Sequence, residues 1–449
     1  MSNLADVSAR MEEAANLRRI IAPAHCCQIA SPMPDERPKL RPVELVPVRT
    51  TGGQQFLLRD PRRLAPQELL LPTDVAFLLS QFDGTRTVRE VQVSYVRRFG
   101  SLITSDKIND LLARLDEALF LDTERFRGFA AQVEADFRAR ATRAMAHAGR
   151  AYDESAAAFV QTWQPRLDAA RLPDDFTLDG HRPALIIPHY DMNGAADCYA
   201  SAYALLAKAP QPQVVVILGI CHDGRDSPFI LTRKPFETPF GALETDAPII
   251  EALTSAAPLD VFADEFAHRD EHSIEFQAAM VHYLYHQAAE PPIIVPILCG
   301  GYHRGNGDFV DPLAAEPVNA FLEALRDLLA SDPRRIAVIA SADLSHIGAR
   351  FGQPPPLTQA HLDLARRHDT ALLDHAMAGD ADGLFATLAE AQDRYNVCGF
   401  PAIYALLRLL PIGEGRLLSY KQATEPQTQS CVSFASVGLA FRGPRAAIC

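Results

Sequence analysis

Residues 213–220 have the sequence QVVVILGI, a continuous apolar run that begins after a single glutamine. Such a run is typical of a strand that is buried on both faces of a parallel sheet. Similar runs occur at 183–188, 291–300 and 334–342, with the sequences PALIIP, PPIIVPILCG and RRIAVIASA. A helical pattern of small residues, GAADCYASAYALLAKA at 194–209, follows the first of these runs.

This alternation of strands and helices predicts an α/β fold for residues 166–445, with a mainly parallel or mixed sheet flanked by helices. Two further strand patterns, RLLSYKQA at 416–423 and SCVSFASVGLAF at 430–441, are expected to close the sheet. In open sheets of this kind, ligands bind beyond the carboxyl ends of the strands. The residues that follow the apolar runs are therefore the first candidates for a functional site.

A different pattern precedes this domain. Residues 43–126 contain two short strand patterns, ELVPVRT and QQFLLRD, around the turn signal TGG, and then three amphipathic helical segments. Thr87 stands where it can cap the second of these helices. We predict a small α+β winged-helix domain here, preceded by an N-terminal extension over 1–42 and followed by a helical linker over 127–165.

The net charge of the 449-residue chain is −13 and is unevenly distributed. Residues 1–150 contain 22 basic and 19 acidic side chains, whereas the remainder contains 21 basic and 37 acidic ones. Because an acidic main body is a poor surface for nucleic acid or anionic lipid, we expect neither partner. The sequence has no apolar run near the ~20 residues that span a bilayer, no secretory pattern at its start and no CxxC pair. A cytoplasmic protein with free thiols is the expectation.

Histidines follow three of the apolar runs. His189, His222 and His346 each lie at or just past the end of a predicted strand. Since the carboxyl ends of parallel strands meet at one edge of the sheet, the three imidazoles are expected to converge. Convergent imidazoles are the usual ligands of iron, copper and zinc. A single histidine at the start of a loop would carry no such implication.

Cys398 is a fourth candidate because it precedes a glycine at the expected N-terminus of a helix. A helix N-terminus lowers the pKa of a thiol and favours the thiolate, which is the ligand and nucleophile form. The alternative is a small apolar residue in the core, which is how most cysteines behave. The spacing alone leaves both interpretations open.

The segment DEHSIEFQAAMVHYL, which begins at Asp270, concentrates acids and a histidine at an expected helix start. Asp270 is predicted to cap the helix, with Glu271 in its first turn. His272 and Glu275 then share one face at a spacing of three residues. We interpret Glu271, His272 and Glu275 as partners that orient the metal-binding histidines. A charged helix start without a site is the alternative.

Asp343, Ser345 and His346 fall within four positions of IASADLSHIGARFG, residues 339–352. A serine nucleophile would need a sharp elbow such as G-x-S-x-G, which this segment lacks. A metal site fits better, with His346 as ligand or general base, Asp343 holding its other ring nitrogen, and Ser345 structural. An ordinary corner after a strand is the alternative, although a buried acid and histidine are costly without a use.

Eight segments, in order along the chain, resemble the Memo family, the B component of the AmmeMemoRadiSam systems. Together they extend over residues 184–441. The segments are IIPHYDMNGAA, VVVILGICHDG, ETPFGALETD, DEHSIEFQ, IIVPILCGG, IASADLSHIGARF, YNVCGFPAI and SCVSFASVGLAF.

This resemblance implies a fold similar to the LigB-type class III extradiol dioxygenases, which hold non-haem iron with two histidines and a carboxylate. It implies a metal set of His189, His222 and Cys398, with the cysteine where the carboxylate would be. His346 corresponds to the acid/base histidine of the dioxygenases, with Asp343 beside it, and these two are the implied catalytic residues.

The sequence departs from the family pattern at two of these motifs. The usual PHAGY is PHYDM here, and the usual PSHH is ICHDG. The second change leaves one histidine, His222, and places Cys221 and Asp223 on either side of it. We expect both residues to lie close to the metal and to influence which metal is bound.

The resemblance implies a metal-dependent redox protein, an oxidoreductase of dioxygenase-like type that oxidises a peptide or an unknown small molecule. Fe(II) is the expected cofactor, and Cu or Zn are the alternatives because a thiolate favours Cu(I) or Zn. The alternative function is a non-catalytic accessory protein of a radical-SAM or peptide-modifying system. A metal-binding scaffold that has lost catalysis is the third hypothesis.

The N-terminal unit resembles PqqD-like peptide-recognition domains. The likeness lies in DGTRTVREV at 83–91 and ITSDKINDLLARLDEALFL at 103–121. It implies that residues 43–126 recognise a peptide or a radical-SAM partner protein. A winged helix that dimerises or binds DNA is the alternative.

Overall fold

The computed structural model of the chain describes residues 37–50, 53–178, 182–223, 227–303 and 309–441. The chain divides into two compact units, Met1–Ala139 with Pro426–Thr428 and Arg140–Glu425 with Gln429–Cys449. Most of the predicted N-terminal extension, residues 1–36, lies outside the described residues, and so does the end of the predicted α/β domain after residue 441. The division between the units falls within the predicted linker.

The first unit contains a small antiparallel sheet and, after it, a series of helices. Its strands are β1 Glu44–Thr50, β2 Gly53–Arg59 and β3 Leu69–Pro72, and they lie in that order across the sheet. Its helices are α1 Thr73–Ser80, α2 Val88–Phe99, α3 Ser105–Glu117 and α4 Glu124–Ala139. The sequence analysis did not predict β3. Four apolar residues are too few to show the alternation typical of a strand, and a helix follows them directly.

Thr87 begins α2 with a reciprocal pair of hydrogen bonds. Its side chain accepts from the Glu90 backbone N–H at 3.3 Å, and the Glu90 carboxylate accepts from the Thr87 N–H at 2.8 Å. This capping box confirms the predicted helix start. The unit also has its own apolar core, in which Leu58, Val91 and Phe120 are fully buried, as an independent domain requires.

The second unit is built around a mixed sheet that has eight strands among the described residues. The strands are β4 Ala184–Ile187, β5 Val214–Ile220, β6 Phe229–Leu231, β9 Ile293–Cys299, β10 Ile336–Ser341, β11 Asp343–Gly348, β12 Ile412–Glu425 and β13 Ser430–Phe441. Strands β7 Phe236–Thr238 and β8 Gly241–Leu243 form a separate hairpin. The order across the sheet is β11-β13-β4-β10-β5-β9-β6, and β12 also pairs with β13.

Four adjacent strands, β4, β10, β5 and β9, run parallel, and the remaining strands extend the sheet in antiparallel pairs. The predicted mainly parallel, mixed sheet is thus confirmed. Every residue of β5 is buried. Val214, Val216 and Leu218 pack into one core, whereas Val215 and Ile217 pack into another on the opposite face. Burial on both faces explains why the sequence of this strand is continuously apolar.

Helices cover both faces of the sheet and supply the second wall of each core. They are α5 Ala156–Asp168, α6 Ala196–Lys208, α7 Ala247–Ala256, α8 His272–Tyr285, α9 Glu316–Ser331, α10 Gln359–Ala378, α11 Ala381–Glu390 and α12 Phe400–Leu409. Across the described ranges, no helix combines the length and the apolar character that crossing a membrane requires.

The predicted helical linker is wrong over residues 140–155. Helices α4 and α5 lie at its two ends, but the residues between them form turns and isolated β-bridges. The Arg143 backbone N–H donates to the Pro235 carbonyl at 2.8 Å, and the Glu237 N–H donates to the Arg143 carbonyl at 2.8 Å. The Ala-rich composition favours a helix, but these tertiary hydrogen bonds override that weak propensity.

The segment IASADLSHIG forms two strands rather than one strand and a loop. Strand β10 ends at Ser341, and β11 begins at Asp343 and pairs antiparallel with β13. The chain therefore turns at Ala342 from the parallel part of the sheet to its antiparallel edge. Asp343 lies at this corner, whereas His346 lies inside β11 and not beyond a strand end as expected.

Candidate metal centre

Three histidines meet at the carboxyl edge of the parallel strands. His189 follows β4, His222 follows β5, and His272 is the first residue of α8. One ring nitrogen from each lies within 4.8 Å of the other two. The ring centroids are 5.0 Å apart for His189 and His222, 5.3 Å for His189 and His272, and 5.0 Å for His222 and His272. This spacing fits three nitrogens around a single metal ion.

His189 is buried, and its ring orientation is fixed. Its Nδ1 donates to the Ser341 carbonyl at 2.9 Å, so Nε2 is left without a proton. That Nε2 lies 3.3 Å from the Cys398 sulfur and 3.6 Å from Asp343 Oδ2. Burial lowers the pKa of His189 well below its ordinary value, and the charges of the other two imidazoles lower it further. His189 is therefore neutral, the form that binds metals.

Glu271 orients the other two histidines. Its buried carboxylate lies 3.0 Å from His222 Nδ1 and 3.2 Å from His272 Nδ1, and it accepts from the His222 backbone N–H at 3.1 Å. Burial raises the pKa of Glu271, but the two imidazoles outweigh burial and hold it well below its ordinary value. The ionised carboxylate fixes both Nδ1 atoms and leaves both Nε2 atoms available to a metal.

Glu271 is also the N-cap of α8, since its side chain accepts from the Ser273 N–H at 2.9 Å. The predicted cap, Asp270, is thus wrong by one residue. The helix begins later than the sequence suggested because residues 265–269 already form a short 3-10 helix that ends at Asp270.

His222 is the most exposed of the three, with its side chain 37% accessible. Burial of the ring lowers its pKa, but the Glu271 carboxylate and a hydrogen bond to Cys398 raise it well above the ordinary value. A cation that binds here must displace a proton from His222. Metal binding is therefore expected to release protons.

Cys398 lies immediately before Gly399, the N-cap of α12, and its sulfur faces His189. Two ligands of one tetrahedral ion, with bonds of about 2.1 and 2.3 Å, lie about 3.6 Å apart, close to the observed 3.3 Å. In the metal-free protein the helix N-terminus does not lower the pKa of the Cys398 thiol below its ordinary value. Burial raises the pKa of Cys398, although the hydrogen bond to His222 acts in the opposite direction.

Asp343 supports the loop that carries His189 and does not hold His346 as predicted. Its Oδ1 accepts from the His189 and Tyr190 backbone N–H groups, each at 3.1 Å. Burial raises the pKa of Asp343 to about 7, although these two hydrogen bonds act against the rise. Asp343 is thus a carboxyl group that exchanges its proton near neutral pH, next to the first histidine.

His346 lies outside the group of three imidazoles. Its Nδ1 donates to the Leu344 carbonyl at 2.9 Å, and its ring meets the edge of Phe351 at a centroid distance of 5.0 Å. Burial, together with the charge of His222, lowers the pKa of His346 to about 4. Ser345 donates to the buried Asp369 at 2.5 Å, which is a structural contact. An acid/base role for His346 stays a prediction.

The remaining predicted residues lie around the group. Glu275 is buried one turn after His272 and contacts Arg143 and Tyr152. Cys221 and Asp223 are half-buried on either side of His222, and the Cys221 N–H donates to the Cys299 carbonyl at 2.9 Å. Their influence on metal choice stays a prediction.

The sequence analysis missed how α8 is joined to the strands. The Gln277 amide donates to the Pro188 carbonyl and to the Ser341 hydroxyl, each at 2.9 Å, and Ser341 donates to the Ser273 carbonyl at 2.6 Å. These contacts bring the start of α8, and with it His272, to the ends of β4 and β10. A lone glutamine before the apolar run AAMV is the signal that was available.

The donor set of three imidazoles and one thiol is of the soft to borderline type that binds iron, copper or zinc. Each imidazole has its Nδ1 held by a carbonyl or a carboxylate, as ligand histidines do. Fold and site together define an α/β protein with a histidine cluster able to hold a metal ion at the carboxyl edge of its sheet.

A sequence profile of the Memo-like protein family matches residues 143–438. The chain belongs to this family. The matched segment begins at Arg143 and includes all four candidate ligands.

Individual relatives extend the likeness. A MEMO1 family protein of Aquifex aeolicus is 28% identical over 404 residues, which cover 89% of this chain and 99% of the relative. A MEMO1 family protein of Thermus thermophilus is 28% identical over 77% of this chain and 97% of its own length. One of Methanopyrus kandleri is 30% identical over 53% of this chain and 75% of its own length. The Aquifex alignment is too long to stop at residue 143, so it includes much of the N-terminal unit.

Proposed function

We propose that the protein is a metal-dependent redox protein that oxidises a small molecule or a peptide at the His189, His222 and His272 cluster. The observation that carries the proposal is the convergence of three oriented imidazoles within 4.8 Å, with the Cys398 sulfur 3.3 Å from one of them. Compared with the expected His189, His222 and Cys398 set, the proposal adds His272 as a ligand.

Fe(II) is the proposed metal, with Cu or Zn as the alternatives. The resemblance to LigB-type dioxygenases favours iron, while the thiolate favours Cu(I) or Zn. When bound, the ion supplies a redox centre and a Lewis acid. The protein supplies ring orientation through Ser341 and Glu271, and a proton at Asp343, whose pKa burial raises to about 7.

The test is redox cycling of the metal-loaded protein. The protein is loaded anaerobically with Fe(II), Cu(I) or Zn(II), and its absorption and paramagnetic resonance spectra are followed through additions of oxygen and dithionite. We expect one equivalent of iron or copper that changes oxidation state reversibly. A protein that binds only zinc, or whose iron and copper do not respond, would be a scaffold and not a redox protein.

We propose a second role for the N-terminal unit, as a module that binds a peptide or a partner enzyme. The observation in its favour is that three apolar side chains on α2 and in the turn after it are exposed. Val93, Phe99 and Leu102 are 45%, 37% and 90% accessible. Exposed apolar groups of this kind mark interaction sites when they cluster.

A random-peptide display library selected against the full chain tests this second role. Peptides enriched on the wild type and lost on Leu102→Glu would support recognition by this unit. Equal enrichment on both proteins, or none on either, would count against it. The PqqD-like interpretation further predicts that the enriched peptides share a common sequence pattern.

A further inference from the structure

A buried arginine connects the segment before the α/β sheet to the helix that carries His272. We call residues 143–152 the arm. Its first residue, Arg143, has a fully buried side chain. Its Nε donates to the His268 carbonyl at 2.9 Å, and its Nη2 donates to the Glu271 carbonyl at 2.8 Å. The third guanidinium nitrogen, Nη1, donates to the Ala144 carbonyl and pairs with Glu275.

Glu275 is the second anchor of the arm. Its carboxylate accepts from the Tyr152 hydroxyl at 2.6 Å and from the His147 and Ala146 backbone N–H groups at 2.9 and 3.1 Å. Burial raises the pKa of Glu275, but Arg143 and the other donors outweigh it and the net pKa is lowered, so the pair is ionic. A buried charge with all its donors in place holds one geometry.

His147 completes the contact on the side of the metal-binding cluster. Its Nε2 donates to the Asp270 carbonyl at 2.8 Å. Its ring lies 5.6 Å from the His272 ring and meets the edge of Phe276 at 5.5 Å, measured between centroids. The carbonyls of His268, Asp270 and Glu271 are therefore all held by the arm.

These contacts determine where the helix start can lie. The Glu271 carbonyl, which accepts from Arg143, belongs to the peptide group that joins Glu271 to His272, so the arm holds the backbone from which both side chains extend. The planar guanidinium group of Arg143 binds three carbonyls and a carboxylate at once in a fixed geometry, which the smaller ammonium group of a lysine cannot do. The arm itself is fixed, because Arg143 pairs with Phe236 of β7.

We infer that Arg143 is a positioning residue for the metal centre, because it fixes Glu271 and His272 through their backbone while touching no ligand atom. The inference rests on the proposed function. It predicts that a substitution which weakens the hydrogen bonds of Arg143 changes the geometry of the histidine cluster, although every candidate metal ligand is still present.

The experiment compares Arg143→Lys with Arg334→Lys in the full chain. Arg334 is the matched control, since it also forms ion pairs, with Asp246 at 2.7 Å and Asp332 at 2.6 Å, but it precedes β10 at the opposite edge of the sheet. The Co(II) dissociation constant and the Co(II) absorption spectrum are measured for both. Glu275→Gln, which keeps its shape and loses the charge, is a second variant should Arg143→Lys not fold.

We expect Arg143→Lys and Glu275→Gln to weaken Co(II) binding by about 10- to 100-fold. Losses of this size are typical when a residue that orients a metal ligand is replaced. The thiolate charge-transfer band of Cys398 should persist while the visible bands change, because an imidazole is displaced and the sulfur is not. Arg334→Lys should leave both unchanged. Equal Co(II) affinity and equal spectra in all variants would overturn the inference, even if thermal stability falls.

Histidine-selective NMR of the metal-free proteins tests the positioning role of Arg143 separately from metal binding. In Arg143→Lys the imidazole signals of His272 and His222 should shift, while that of His282, at the far end of the same helix, should not. Unshifted His272 and His222 signals would overturn the inference whatever the metal results. If wild type binds no Co(II) but the signals shift as expected, the metal centre of the proposed function fails, and Arg143 positions the histidine cluster but not a metal site.

Discussion

Glu271 is the residue on which the geometry of the cluster depends most directly. One buried carboxylate contacts the Nδ1 atoms of two candidate ligands, caps α8 and accepts from the backbone of His222. Because the carboxylate accepts and does not donate, it selects the tautomer that directs each Nε2 toward the metal. An amide at this position would no longer enforce that choice.

We predict that Glu271→Gln lowers the affinity for Zn(II) by about 10- to 100-fold. The amide keeps the size of the side chain and its cap to Ser273, so the protein should remain folded. Competition with a coloured chelator measures the affinity. Glu251→Gln is the control, because Glu251 lies on α7 and forms an exposed ion pair with Arg233. Equal affinity in Glu271→Gln, Glu251→Gln and wild type would contradict the assigned role of the carboxylate.

The start of helix α12 can lie where it does because its N-cap, Gly399, has no side chain. The Gly399 N–H donates to the Asp343 carbonyl at 3.1 Å, and a Cβ at Gly399 would collide with that carbonyl oxygen and with Ala342. This close contact between Gly399 and Asp343 places the preceding residue, Cys398, beside His189.

We predict that Gly399→Ala lowers the free energy of unfolding by about 1–3 kcal/mol, as overpacking does, and also weakens metal binding. Urea denaturation and the chelator assay measure the two effects. Gly301→Ala is the comparison, because no atom lies within 4 Å of a Cβ built there. A Gly399→Ala protein as stable and as tightly metal-bound as Gly301→Ala would show that the helix start has room to move.

The sequence predicts the strands of the central sheet, but it does not reveal several of the contacts between helices and strands. Strand β5 is buried on both faces, so its sequence is apolar throughout, and β4, β9 and β10 follow the same logic. The role of His272 depends on Gln277 binding Ser341, a contact across 64 residues that no local pattern reveals. Likewise the arm is Ala-rich, and contacts with residues far along the chain, among them Pro235 and Glu275, hold it in turns.

For the whole molecule, buried neutral histidines link stability to pH. His268 is buried and donates from Nε2 to the Ile230 carbonyl at 3.0 Å. Burial lowers its pKa to about 3, although that hydrogen bond acts in the opposite direction. In the unfolded chain His268 binds a proton below about pH 6.5, whereas the folded protein does not until about pH 3. Between these values, stability is lost as the pH falls.

We predict that His268→Gln reduces the slope of unfolding free energy against pH between about pH 3 and 6.5. One such group contributes up to about 1.4 kcal/mol per pH unit. Urea denaturation at several pH values measures the slope, and His361→Gln, an exposed histidine on α10, is the control. Identical slopes in both variants would mean that His268 is already protonated in the folded protein at mildly acidic pH.

The measurement that tests the metal centre most directly is the metal content of anaerobically purified protein. Wild type is compared with His189→Ala, His222→Ala, His272→Ala and Cys398→Ala, and with His282→Ala as a control on the same helix as His272. We predict one equivalent of iron or copper in wild type and in the control, with strong loss in the other four. Full metal content in His272→Ala would restrict the ligands to His189, His222 and Cys398. No metal in wild type, even after reconstitution with Fe(II), Cu(I) and Zn(II), would contradict the metal centre itself.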